Sequence, residues 1–139
     1  MRTERAISIY LALVALVTVA QSVMFPVYGY ESDGTAAGGA NTVWHVLNWF
    51  MALGLAAMLF TTYREKRRLD AETATDLRPW IGANAKFYLA VLVTVAFAPN
   101  WVAAIFEQGE VGLVWYAINT ALPILFALEA IRLRRATSG

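Results

Sequence analysis

The chain of 139 residues is 59% hydrophobic and 15% charged, has a formal net charge of +1 and contains no cysteine. Soluble domains carry about a quarter of their residues as charges, so this composition excludes an ordinary water-soluble enzyme domain. The missing cysteines exclude disulfides, thiolate metal sites and thiol nucleophiles, and the near-neutral balance offers no basic footprint for nucleic acid.

The first apolar run covers residues 6–27 and follows Arg2 and Arg5. Those arginines and Thr18-Val19-Ala20 imitate the parts of a signal peptide, but the run continues well past them, and a retained helix is expected. A glycine-containing loop over residues 31–40 leads to the second run, residues 43–63. That run ends in Arg64, Lys66, Arg67 and Arg68, which are expected to set topology and meet lipid head groups at up to about 1 kcal/mol per charge. The third run, residues 85–106, ends at a tight turn, Glu107-Gln108-Gly109-Glu110; the fourth covers residues 111–131. Each run is about 20 residues long and is read as free of acids and bases away from its ends. At ~1.5 Å per residue that length crosses a hydrocarbon core of ~30 Å. In lipid the backbone must satisfy itself, so these runs are expected to be helices. The expected fold is all-α and integral to the membrane: one domain over residues 1–139 with four transmembrane helices.

The 11 lysines and arginines fall before the first run, around the link between the second and third, and after the fourth. Four crossings place these regions on one side, and basic residues mark that side as cytoplasmic, so both termini are expected inside a cytoplasmic membrane. Trp44, Trp101 and Trp115 then fall near the outer interface.

The order of residues also repeats. Leu16-Val17-Thr18-Val19-Ala20 returns as Leu92-Val93-Thr94-Val95-Ala96, and Val43-Trp44-His45-Val46-Leu47-Asn48 is echoed by Val114-Trp115-Tyr116-Ala117-Ile118-Asn119. Pro26 and Pro99 stand between the paired stretches. The chain therefore reads as two tandem hairpins, residues 1–68 and 79–135, both running in–out–in. They are parallel repeats about an axis along the membrane normal. Ala52-x-x-x-Ala56 and Ala117-x-x-x-Ala121 are the expected close contacts between helices.

Depth brings out a polar layer. Counted inward at ~1.5 Å per residue, Gln21, Asn48, Asn100 and Asn119 fall roughly 8–12 Å below the outer surface, one carboxamide per helix. Unpaired amides are costly in hydrocarbon, so these groups are expected to turn inward. One reading is an interhelical amide network fixing register; a second is a polar pocket opening outward beneath the 31–40 loop; a third is contact with a partner subunit. His45 lies one turn above Asn48, Tyr116 holds its place in the second copy, and Ser22 and Thr120 adjoin the layer. Pro123 frees the carbonyl of Asn119 and marks a helix kink, where the first repeat has Ala52 at the aligned position; Thr120 is expected to satisfy part of that deficit.

No residue is assigned a catalytic role. One histidine cannot build a His-based metal site, and no phosphate loop or nucleophile elbow is present. No cofactor is encoded by a recognisable motif, and bound lipid is expected. With no ionisable group placed in mid-bilayer, ion-coupled transport lacks its usual instrument. The leading expectation is a small non-catalytic accessory subunit of a larger respiratory or membrane-oxidase complex, with other membrane subunits and lipid as partners. A homo-oligomer is also compatible. The alternative is a small binding or transport protein that uses the amide-lined pocket.

Overall fold

The computed structural model describes residues 2–33, 37, 39–72, 77–106 and 112–138. It contains four helices: α1 (Arg2–Tyr28), α2 (Ala40–Ala71), α3 (Arg78–Ile105) and α4 (Gly112–Ser138). Many of their residues are β-branched, which lowers helix propensity in water. Where water is excluded the backbone has no other partner, and the helix wins regardless. All four are long and apolar enough to cross a membrane. Their outer faces agree with this: Leu113 is 79% exposed, and Leu16, Val23 and Leu92 stand out similarly. A soluble monomer rarely shows an apolar sheath of that extent.

With 27 to 32 residues each, the helices are longer than a ~30 Å core requires. The excess on α2 is charged. Arg64, Lys66, Arg67 and Arg68, expected at the start of a connection, lie on the last turns of this helix. Lys66 pairs with Asp70 at 2.6 Å, and Arg68 pairs with Glu65 at 3.0 Å and Glu72 at 2.9 Å. Arg64 sits over the Phe60 ring at 5.5 Å. The Trp80 indole donates to Asp70 at 2.7 Å and pins the start of α3 to the end of α2. The expected turn at residues 107–110, and residues 34–36 and 38 of the first loop, lie outside the described residues.

The helices alternate in direction, so the α1–α2 and α3–α4 connections share one end of the bundle, here called the loop end. The termini and the α2–α3 link share the terminal end. α1 packs chiefly on α4, and α2 chiefly on α3; contact within each sequence hairpin is thinner. α2 also touches α4 across the centre, while α1 and α3 do not meet. The expected small-residue contacts need correction: Ala56 and Ala117 are exposed. The close approach is at Gly54, where an added Cβ would come within 2.6 Å of the Phe126 ring. The alanine pairs were chosen for packing between chain neighbours, whereas the tightest point lies on the central α2–α4 crossing. The core around it holds Leu11, Met51, Leu55, Met58, Leu122 and Phe126, all essentially inaccessible. Ser8 Oγ donates to the Ala130 carbonyl at 2.8 Å and Tyr10 Oη to the Phe50 carbonyl at 2.9 Å, tying α1 to α4 and to α2.

Pro26, Pro99 and Pro123 all lie inside helices that continue through them. Each lacks an N–H, so the carbonyls of Ser22, Val95 and Asn119, four residues earlier, lose their usual helical donors.

Candidate functional site

At the loop end the bundle opens into a cavity of about 530 Å³. Two helices supply most of its wall with the same spacing. From α2 come Asn41, Trp44, His45 and Asn48; from α4 come Gly112, Trp115, Tyr116, Asn119 and Thr120. Offsets of three, four and seven put such residues on one face of a helix. The echoed stretches therefore present matching faces, with a tryptophan, then a histidine or tyrosine, then an asparagine one turn deeper. Both faces line one cavity.

The end of α1 supplies another side. Ser22, Phe25, Pro26 and Tyr30 line it. The chain turns here because residue 29 is glycine: its N–H donates to the Phe25 carbonyl at 2.6 Å, and an added Cβ would meet that oxygen and the Phe25 ring. The Phe25 ring makes edge contacts with Tyr28, Tyr30 and Trp44. Gly39, at φ +77°, opens α2; a left-handed residue is least strained as glycine.

Asn48 is 4% exposed, and its Oδ1 has no hydrogen-bond partner; the buried Oδ1 of Asn119 has none either. Nearby hydroxyls do not serve them. Thr120 Oγ1 donates to the Tyr116 carbonyl and Ser22 Oγ to the Thr18 carbonyl, each at 2.8 Å. This corrects the expectation that Thr120 would relieve the carbonyl freed by Pro123: its hydroxyl proton is held one turn earlier. Pro26 and Pro123 deprive Ser22 and Asn119 of the amide donors their carbonyls would normally receive. Among the described residues that line the wall there is no Asp, Glu, Lys or Arg.

The four-amide layer divides. His45, Asn48, Asn119 and Thr120 reach the cavity, but Gln21 and Asn100 are buried away from its wall. Gln21 Nε2 donates instead to Tyr28 Oη on its own helix. With Gln21 bonded on α1, and Asn48 Oδ1 and Asn119 Oδ1 without partners, the four amides do not close into a ring.

Toward the terminal end the cavity is stopped by Met51, Leu55, Ile118, Leu122 and Phe126. Beyond this plug lies a group that the sequence reading passed over. Glu129 is 1% exposed. It accepts hydrogen bonds from Thr61 Oγ1 at 2.6 Å and from Arg132 Nη2 and Nε at 2.5 and 2.9 Å. Arg132 also reaches Glu65 on α2 at 3.4 Å. The sequence reading placed no ionisable group in mid-bilayer and did not single out Glu129, which the fold encloses near the terminal end. The signal was present: Glu129 lies inside the fourth apolar run with Arg132 three residues on, a pairing one helix face permits. Among the described residues no group of three or more His, Cys, Asp or Glu side chains is placed to hold a metal ion.

No protein-family model, no curated protein and no solved structure matches this chain.

Proposed function

We propose that the chain is a small multi-pass protein of a cytoplasmic membrane that receives a small ligand in the loop-end cavity from the external side. The observation that carries this reading is the cavity of about 530 Å³, walled by the matching faces of α2 and α4. A register-fixing amide network would have paired Asn48 Oδ1 and Asn119 Oδ1, which are buried without partners.

The orientation rests on charge. The lysines and arginines gather at the terminal end, which assigns that end to the cytoplasm and the cavity to the outside. The duplication belongs to the same proposal. A twofold axis along the membrane normal exchanges α1 with α3 and α2 with α4. It therefore pairs the α1–α4 contact with α2–α3, the two most extensive in the bundle. It also relates Trp44 to Trp115 and Asn48 to Asn119, so one ligand meets both copies. An accessory subunit of a larger complex is supported by the exposed apolar sheath, which a bilayer explains equally well. The cavity therefore favours binding.

The absence of native cysteine supplies the test. His45→Cys, at the exposed part of the wall, should react in intact cells with a membrane-impermeant thiol reagent, while Met51→Cys, in the plug, should not. A His45→Cys that stays unreactive, or reacts only after the cytoplasmic side is exposed, would contradict the proposal.

A further inference from the structure

Resting on that binding reading, we propose a ligand class: a small organic cation whose ammonium nitrogen carries alkyl groups in place of N–H bonds. The first observation behind it is ring surface within reach of a guest. Phe25, Tyr30, Trp44, Trp115 and Tyr116 all line the cavity. Tyr116 is 71% exposed and Tyr30 50%, while Trp44 and Trp115 are half-buried. These rings can be touched, unlike the enclosed amide oxygens of Asn48 and Asn119. The Phe25 ring meets Tyr30 at 72° and Trp44 at 66°, with centroids 5.6 and 6.0 Å apart. Rings set so steeply do not stack flat on one another, so ring faces stay available. The face of an aromatic ring is its negative part. A cation within about 6 Å of that face is attracted to it, most strongly over tryptophan. The echoed stretches supply one tryptophan each, from α2 and from α4.

The second observation is the distribution of charge along the chain. No lysine or arginine occurs in residues 6–63 or 87–131, the two stretches that contain the whole loop end. Apart from Glu129, the acids of those stretches are Glu31, Asp33, Glu107 and Glu110, all in the two loop-end connections. The field at this end of the bundle therefore favours a cation and opposes an anion. An alkylated nitrogen suits the wall better than one with N–H bonds. Three N–H donors would each need an acceptor, whereas alkyl groups need none and pack their spread charge directly on ring faces.

The test follows binding of radiolabelled choline to the full chain in a maltoside detergent. Three competitors are compared: 3,3-dimethylbutan-1-ol, in which carbon replaces the nitrogen; 3,3-dimethylbutanoate, an anion of similar outline; and glycerophosphocholine, the head group of a lipid. Protonated His45 would oppose a cationic guest, so the measurements are made at about pH 8. Choline should bind about 10-fold more tightly than the neutral alcohol, and the anion should compete least. Trp44→Leu should bring that ratio towards one, while Trp44→Phe keeps part of it. A melting curve confirms folding, and Trp115→Leu provides the same contrast if Trp44→Leu unfolds. No choline binding, or an alcohol that competes as well as choline, overturns the ligand class. Glycerophosphocholine weaker than choline supports a free solute; tighter competition keeps the alkylated ammonium and assigns it to a lipid head group. Cysteine labelling separates failure of the class from failure of the pocket. A reactive His45→Cys without preference for the cation leaves an open cavity with a different guest, whereas an unreactive one removes the cavity and the class together.

Discussion

The two ends of the bundle treat buried polar groups in opposite ways. At the terminal end Glu129 is almost fully enclosed, yet Thr61 and Arg132 occupy its oxygens, and Glu65 takes a further bond from Arg132. At the loop end Asn48 is nearly as enclosed, and its carbonyl oxygen meets nothing. The first cluster is closed on itself and binds α2 to α4. The second is incomplete, its amide oxygens buried beside the cavity without a donor. Burial alone does not tell a satisfied polar cluster from an unsatisfied one; the state of its hydrogen bonds does.

The comparison breaks if the terminal cluster proves dispensable. Glu129→Leu strands the Arg132 guanidinium and the Thr61 hydroxyl. Because Arg132 retains some exposure, the expected loss is about 2–4 kcal/mol, at or below that of a fully buried pair. Denaturant titration in detergent would measure it. The same variant should leave labelling of a cysteine at position 45 unchanged, because the apolar plug separates the two ends. Next in size is Gly54→Ala at the crossing between them. The added methyl meets the enclosed Phe126 ring, and overpacking of this kind costs about 1–3 kcal/mol. A lowered melting temperature is expected, and an unchanged one would show that α2 and α4 cross less closely than the Gly54 geometry requires.

Much of the frame was legible in the residues. The four apolar runs correspond to four helices because a span of that length has only one way to satisfy its backbone. Part of the cavity wall was legible as well: of the four amides that depth counting singled out, Asn48 and Asn119 line it, with His45 and Thr120 beside them, while Gln21 and Asn100 do not. Helix partnership was not legible. Apolar faces in lipid carry little pattern to say which neighbour they choose, so the tandem hairpins do not reveal that α1 packs chiefly on α4. For the same reason the alanine spacings point away from Gly54, and depth alone does not show that Gln21 bonds on its own helix. Glu129 was missed for a different reason. A carboxylate near the end of an apolar run reads as a boundary, and only the fold shows Thr61 and Arg132 closing over it.

The central claim is that the loop-end cavity is open to a small molecule from the external side. The most direct measurement is thiol labelling of His45→Cys, at the exposed part of the wall, in intact cells beside Met51→Cys in the plug. Labelling at position 45 and none at position 51 is the predicted result; a cysteine at 45 that reacts only after the cytoplasmic side is exposed would contradict the account.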